Sequence, residues 1–295
     1  MKLETWNVRG FGAEEKKSMV KKIIKEEFLD LIGLVETKHK EVLEWEMMKC
    51  WGHQGSDFLQ VSAVKGSGGL LLSWHKEAFR LINAFAMKRW LCVVGEFLKL
   101  KMKCTICLVY APNDHVERLS VWNQLRKVRS IAADPMILMG DFNEVTSPSE
   151  RRGGNVMSQG MKELQSLFED LQLVDMEIGQ NYTWLRMNAA SRIDRILVDE
   201  ELLRTFPNCK VYCRDRMFSD HFPLVLNSSV LKWSPSPFRS LDCWLEEPSF
   251  EKVFRAEWLK LSGQSLVRKL KLIKKPIKVW NKEVFGHIDQ KVLSF

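Results

Sequence analysis

No apolar run in these 295 residues is long enough to cross a bilayer, and the opening MKLETWNVRG has no signal-like hydrophobic stretch. The expectation is an intracellular protein with no membrane attachment. Internal repeats and low-complexity tracts are also missing. The seven cysteines form no regular framework, which suits reduced thiols in a reducing compartment. CTIC (104–107) and CKVYC (209–213) sit in β-branched, strand-like stretches, with no histidine following at finger spacing. They read as packed thiols rather than zinc ligands. The glycine-rich KGSGGLLL (65–72) lacks the spacing and lysine of a P-loop, so a strand entry with close backbone packing is the better reading.

What is present is material for a sizeable core. Hydrophobic residues make up 45% of the chain, enough for one large core or two smaller ones. The net charge of +8 is uneven: residues 232–295 hold 13 Lys and Arg against 7 Asp and Glu. The basic excess is densest in VRKLKLIKKPIKVWNK (267–282), which could touch a polyanion or form a solvated helix face.

Short apolar runs alternate with amphipathic stretches as far as about residue 230. Helical spacing marks 14–30, 115–131 and 160–172. Strand candidates are LETWNV, LDLIGLV, FLQVSAV, GGLLLSW, LCVVGEFLKL, MKCTICLVY, PMILMG, NYTWL, SRIDRILV and FPLVLN. This mixture predicts an α/β or α+β domain rich in sheet. LKWSPSPFRS (231–240) marks a boundary, after which the sequence turns helical and Trp-rich. That segment is too short for a substantial core of its own. Its tryptophans 244, 258 and 280 are expected to pack against a partner segment.

Several apolar runs end or begin at a polar residue. Asn7, Glu36, Tyr110 with Asn113, Asp141 with Asn143, Asp194, and the pair Asp220-His221 all occupy such places. Taken singly, each is an ordinary strand end meeting water. On one shared rim they would make a coherent set, because carboxylate and amide oxygens suit a hard cation, Mg²⁺ before Mn²⁺. A histidine paired with an aspartate would polarise a phosphate or move a proton.

WNVRG (6–10), ETK (36–38), YAPN (110–113), GDFN (140–143), SRIDRILV (191–198) and SDH (219–221) stand in the order found in the exonuclease III-like endonuclease/exonuclease/phosphatase superfamily. Over about residues 1–230 the chain resembles that superfamily, and within it the endonuclease domain of plant LINE-type (non-LTR) retrotransposon polyproteins. The resemblance implies a four-layer sandwich of two packed mixed β-sheets flanked by helices. It also implies a helical C-terminal extension, 231–295, a basic linker leading toward a reverse transcriptase domain that this chain lacks. Glu36 matches the principal metal ligand, with Asn7 and Asp220 beside it. His221 matches the catalytic histidine, Asp194 its orienting carboxylate, and Asp141 the residue that activates or positions water. Asn143 and Tyr110 match phosphate-contacting or leaving-group positions, with Asn113 in support. Arg151, Arg152, Arg186, Asn188 and Arg192 are the expected DNA contacts, and the loop around 186–190 the expected minor-groove reader.

The implied activity is Mg²⁺-dependent nicking of double-stranded target DNA, leaving a 3′-hydroxyl to prime reverse transcription, with Mn²⁺ as an alternative cation. The implied location is the nucleus when acting on chromosomal DNA and otherwise the cytoplasm. An abasic-site repair endonuclease, another phosphoesterase of the same fold, and a silent DNA-binding domain are the other readings. Repair members carry an acid two residues after the Asn of the first motif, whereas this chain has Arg9.

Overall fold

The computed structural model describes residues 1–52, 55–64, 66–132, 134–228, 244 and 247–284. The chain divides into two compact units, residues 1–231 and 232–295. The boundary segment expected at 231–240, and Cys243, lie outside the described residues.

The larger unit opens with β1 (Lys2–Asn7), α1 (Glu14–Glu27), β2 (Leu31–Val35), α2 (Glu44–Trp51), β3 (Ser56–Val61), β4 (Leu70–His75), β5 (Phe79–Met87), β6 (Trp90–Phe97) and β7 (Met102–Tyr110). It continues with α3 (His115–Ile131), β8 (Met136–Asp141), α4 (Gln159–Leu171), β9 (Leu173–Asp175), β10 (Trp184–Arg186), β11 (Ala189–Ser191), β12 (Asp194–Asp199), α5 (Glu200–Thr205), β13 (Lys210–Cys213) and β14 (Leu224–Asn227). Two mixed six-stranded sheets result, ordered β13-β14-β1-β2-β4-β3 and β5-β6-β7-β8-β12-β9, with β10 and β11 as a separate hairpin.

Strand periodicity explains the layering. Along β2, Leu31 and Val35 face the core between the sheets, while Ile32 and Leu34 face outward beneath α1 and α2. Leu3, Ile106, Leu108, Met139 and Leu224 join the inter-sheet core. Val121, Trp122 and Leu125 of α3, with Leu164 and Leu167 of α4, cover the outer face of the second sheet. Four layers follow: helices, sheet, sheet, helices. At Gly33 the sheets come so close that a Cβ would stand 2.7 Å from Leu108 Cδ1. Cys104 and Cys107 point to opposite faces of β7, one into each core, as thiols three apart on a strand must.

Three expectations need correction. Phe79–Met87 is a full strand although no alternation announced it. It lies at a sheet edge, and most of its side chains are exposed, so no buried face imposes period two. YTWL and SRID, expected as two strand segments joined by a short loop around 186–190, are not the two arms of the hairpin. The hairpin is shorter, with its turn at Met187-Asn188, and Asp194 starts a separate strand in the large sheet. Thr183 Oγ1 causes the break by accepting the backbone N–H groups of Ile193 (3.0 Å) and Asp194 (2.9 Å). Finally, the C-terminal segment has a core. Its helices α6 (Pro248–Lys260) and α7 (Leu266–Val284) bury Trp244, Ile273, Ile277 and Trp280 against Phe250, Phe254 and Trp258. The tryptophans pack on their own hairpin.

Candidate active site

Strand register gathers the site. β1 and β2 run parallel with Asn7 opposite Val35, which sets Glu36 just beyond Asn7 on the same rim. β7 and β8 are parallel with Tyr110 opposite Asp141, and antiparallel β12 places Asp194 opposite Asp141. Gly140 permits the last approach: its φ is +135°, and a Cβ there would lie 2.0 Å from the carbonyl oxygen of Val109.

Side chains then link the two sheets across the rim. Asn7 Nδ2 donates to Asp141 Oδ2 at 2.9 Å, and the backbone N–H of Asn143 donates to Asp141 Oδ1 at 2.9 Å. His221 Nδ1 lies 2.8 and 3.0 Å from the two oxygens of Asp194. Its Nε2 faces Asp220 Oδ1 at 3.9 Å and Asp141 Oδ2 at 4.0 Å. Burial works against charge on the imidazole, but Asp194, Asp141 and Asp220 outweigh it and lift His221 to about 9. Burial, reinforced by Asp194, pushes Asp141 up to about 7 despite its neighbours His221, Asn143 and Asn7. Burial also raises the Tyr110 phenol, with Glu36 and Asp141 adding to it, so that hydroxyl keeps its proton.

Cations surround the remaining acids. Lys38 Nζ is 3.0 Å from Glu36 Oε1, with Arg9 Nε 4.0 Å from the same oxygen, and Arg9 Nη1 donates to Asp220 Oδ2 at 2.5 Å. Arg9 thus neutralises part of the site where a second acid would have added to it. Arg9, Glu36, Lys38 and Asn143 all have left-handed backbone, with φ of 46°, 56°, 59° and 49°. Such strain in non-glycine residues collects at functional sites. The glycine-rich loop supports this turn: Gly69 and Gly68 accept the N–H groups of Thr37 and Lys38, and a Cβ at Gly69 would meet Thr37 Oγ1 at 2.2 Å.

The cleft above these groups holds about 500 Å³. Asn7, Arg9, Glu36, Tyr110, Asn113, Asp141, Asn143, Arg151, Arg152, Arg186 and His221 line it. The β10–β11 hairpin forms one wall. It is held by Leu185 N–H to Asp220 O (2.9 Å) on one side and by Arg152 N–H to Ala190 O (2.9 Å) on the other. Asn188 sits at the hairpin turn, where its carbonyl accepts from Arg152 Nη1 at 3.4 Å.

Arg192, expected among the DNA contacts, is committed elsewhere. Its guanidinium donates to Glu150 Oε1 (2.7 Å), Asp175 Oδ1 (3.0 Å) and Met176 O (2.9 Å). Fully buried Arg195 shares both carboxylates. The bend at 192–193 turns Arg192 away from the cleft, which no linear motif could indicate.

Sequence reasoning missed Arg216, which donates to Leu185 O at 3.1 Å, and Arg89, whose guanidinium lies 5.6 Å from the Tyr110 ring centroid. It also missed Arg118 and Glu144 behind the cleft. Arg118 had a signal, since it shares helical spacing with buried Val121, Trp122 and Leu125.

Two oxygen-rich sets could hold a metal. Asp141, Asp194 and His221 each offer one ligand atom, all within 4.8 Å of one another. Within that trio, however, Asp194 already occupies His221 Nδ1, and Asn7 and Asn143 occupy the oxygens of Asp141. The second set is Glu36 and Asp220, both paired with the Arg9 guanidinium, with the Asn7 amide oxygen, which itself accepts the backbone N–H of Arg9 at 3.0 Å. Among the described residues Asp220 Oδ1 is buried without a hydrogen-bond partner, an orphan acceptor that a hard cation would satisfy. The donors fit a divalent cation.

The Endonuclease/Exonuclease/phosphatase family model matches residues 5–221, which contain every one of these groups. The chain belongs to this family. Family enzymes use divalent metals. The family member is 24% identical over 254 residues to an exodeoxyribonuclease of Bacillus subtilis, covering 77% of this chain and 98% of the relative. Its fold resembles an AP endonuclease from Archaeoglobus fulgidus (TM-score 0.63, 18% identity, 77% of this chain and 98% of that one). It also resembles the endonuclease domain of TRAS1, a telomere-specific non-LTR retrotransposon (TM-score 0.59, 15% identity, 77% and 96%). Among the described residues no helix is long and apolar enough to cross a membrane.

Proposed function

We propose that this chain is a Mg²⁺-dependent endonuclease that nicks one strand of intact duplex DNA and leaves a 3′-hydroxyl. The observation that carries the reading is the buried Asp194–His221–Asp141 cluster opening into a cleft rimmed by Arg151, Arg152 and Arg186. A polyanionic diester fits that rim.

Each residue has a definable task. Asp141, poised at about 7, takes a proton from the attacking water. His221, charged through Asp194, donates from Nε2 to a non-bridging phosphoryl oxygen as charge builds there. The second N–H of Asn143 Nδ2, whose first donates to Ala111 O at 2.7 Å, offers the phosphate another donor. The protonated Tyr110 hydroxyl serves the leaving side. A bond forms between the water oxygen and phosphorus, the bond from phosphorus to O3′ breaks, and O3′ leaves with a proton. A cation on Glu36, Asp220 and Asn7 would supply Lewis-acid neutralisation of phosphoryl charge.

The retrotransposon reading is the narrower part of the proposal. Its supports are the overhanging β10–β11 hairpin, and Arg9 in place of a second acid. In that reading the 3′-hydroxyl primes a reverse transcriptase domain of the same polyprotein, in the nucleus.

The test is a supercoiled-plasmid nicking assay with and without Mg²⁺, beside an oligonucleotide duplex bearing one abasic site. Mg²⁺-dependent nicking with no large abasic preference is expected. A preference of several orders of magnitude for the abasic site would instead favour a repair enzyme, and no hydrolysis of either a silent domain.

A further inference from the structure

One buried guanidinium stands behind the cleft rather than in it. Arg118, near the start of α3, is 7% exposed. Its Nη1 donates to the carbonyl oxygens of Pro112 (3.3 Å), Asn113 (2.7 Å) and Asn143 (3.3 Å). These carbonyls come from two loops, one after β7 and one after β8. Nη2 donates to Glu144 Oε2 at 2.7 Å. Glu144 extends the chain outward, since its Oε1 accepts from Arg151 Nη2 at 3.3 Å on the rim. The packing has no slack: a Cβ on Gly160 of α4 would stand 2.3 Å from Glu144 Oε2.

We propose that Arg118 is a positioning residue for the phosphate-contacting wall of the cleft. It fixes Asn113 and Asn143 relative to each other and aims Arg151 through Glu144. This rests on the nuclease reading of the same cleft. Three carbonyl dipoles converging on one point repel unless a cation lies between them. A planar guanidinium satisfies them and a carboxylate together through its fixed fork of donors. A lysine ammonium keeps the charge but cannot span both loops and Glu144 at once. The loops would then part by fractions of an ångström, enough to misplace a transition-state donor.

The test is a double-mutant cycle of Arg118→Lys with Asn143→Ala, read as kcat/KM for plasmid nicking. Arg118→Lys is expected to lower it about tenfold in the otherwise unchanged chain and less than about twofold in the Asn143→Ala background. A merely structural role would give the same loss in both backgrounds, and that result would overturn the proposal. A second cycle, Glu144→Gln with Arg151→Ala, is read as Kd for a short duplex without divalent ions. The Glu144→Gln effect is expected to vanish once Arg151 is Ala; equal weakening in both backgrounds overturns the proposal. If Arg118→Lys fails to fold, an Arg118→Gln cycle with Arg151→Ala, read as the same Kd, decides the clamp, again by whether the effect vanishes once Arg151 is Ala. It also does so if the unaltered chain fails to nick, an outcome that sinks the nuclease reading alone.

Discussion

Replacing Asp194 by Asn removes one charge beside His221 while preserving volume and a hydrogen-bond acceptor for Nδ1. At 2.8 Å the carboxylate is the closest charge to the imidazole. A unit pair near 4 Å in a protein-like medium is worth about 4 kcal/mol, and one pKa unit corresponds to about 1.4 kcal/mol. Loss of the charge therefore lowers His221 by roughly two to three units from its value of about 9. Burial would then act with less opposition. At pH 7.5 the charged fraction falls from roughly nine-tenths or more to about a quarter or less.

Asp141 responds in the same direction, because the Asp194 charge is one of the causes that raise it to about 7. In the unaltered enzyme activity should rise as Asp141 loses its proton near 7 and fall as His221 loses its own near 9. Both limbs of this bell should move to lower pH in the Asn variant, the alkaline limb by roughly two to three units. The assay is initial-rate nicking at saturating Mg²⁺ between about pH 5 and 10, with thermal unfolding followed at each pH. A variant profile of unchanged shape and merely reduced height would refute the electrostatic argument and leave Asp194 only an orienting role.

Four further outcomes are expected. Glu36→Ala and His221→Ala should each reduce nicking by about 10² or more without loss of fold, and wild-type rates from a folded His221→Ala protein would end the assignment. Arg195→Met strips a buried cation from Glu150 and Asp175; a loss of about 3–5 kcal/mol, or roughly 6–20 °C in Tm, is expected by calorimetry, and a shift under about 2 °C would contradict it. Glu4 is buried with both oxygens unpartnered among the described residues, and burial holds its pKa well above the usual 4.5. A raised folded-state pKa means stability is full below the unfolded value and lost as pH climbs toward the folded one. Glu4→Gln should therefore flatten the Tm–pH curve above about pH 4.5, and parallel curves would refute this. Replacing 185–190 by a Gly/Ser loop of equal length should preserve Mg²⁺-dependent nicking but redistribute mapped nick positions, and an unchanged map would place target choice elsewhere.

The periods in the sequence determined the layers. Val20, Ile23 and Ile24 recur at helical spacing, and β2 alternates faces because its side chains must. Those periods require only that each apolar face be covered, so they are local and legible. The polar residue ending each apolar run marked Asn7, Glu36, Tyr110, Asp141, Asp194 and His221, for a strand terminus is where such a group can meet a ligand. Periodicity failed at β5, where an exposed edge strand buries too little to impose a pattern.

Only the tertiary structure decided which of these groups touch. Asn7 and Asp141 are 134 residues apart yet share a hydrogen bond, and that contact depends on the register of two sheets packed across a core. Arg192 and Arg151 look alike as isolated basic residues. A bend enforced by Thr183 ties the first to Glu150 and Asp175 and leaves the second on the cleft. Charge balance around Glu36 and Asp220 is likewise a matter of distance: Arg9 and Lys38 converge there because left-handed turns fold them back over the strand ends, and Lys16 acts on the same acids from α1. Hydrophobic pattern is a property of neighbours along the chain, whereas electrostatic partnership depends on separation in space. The sequence therefore determined the layers and the polar strand ends, and the packing of the two sheets decided their partners.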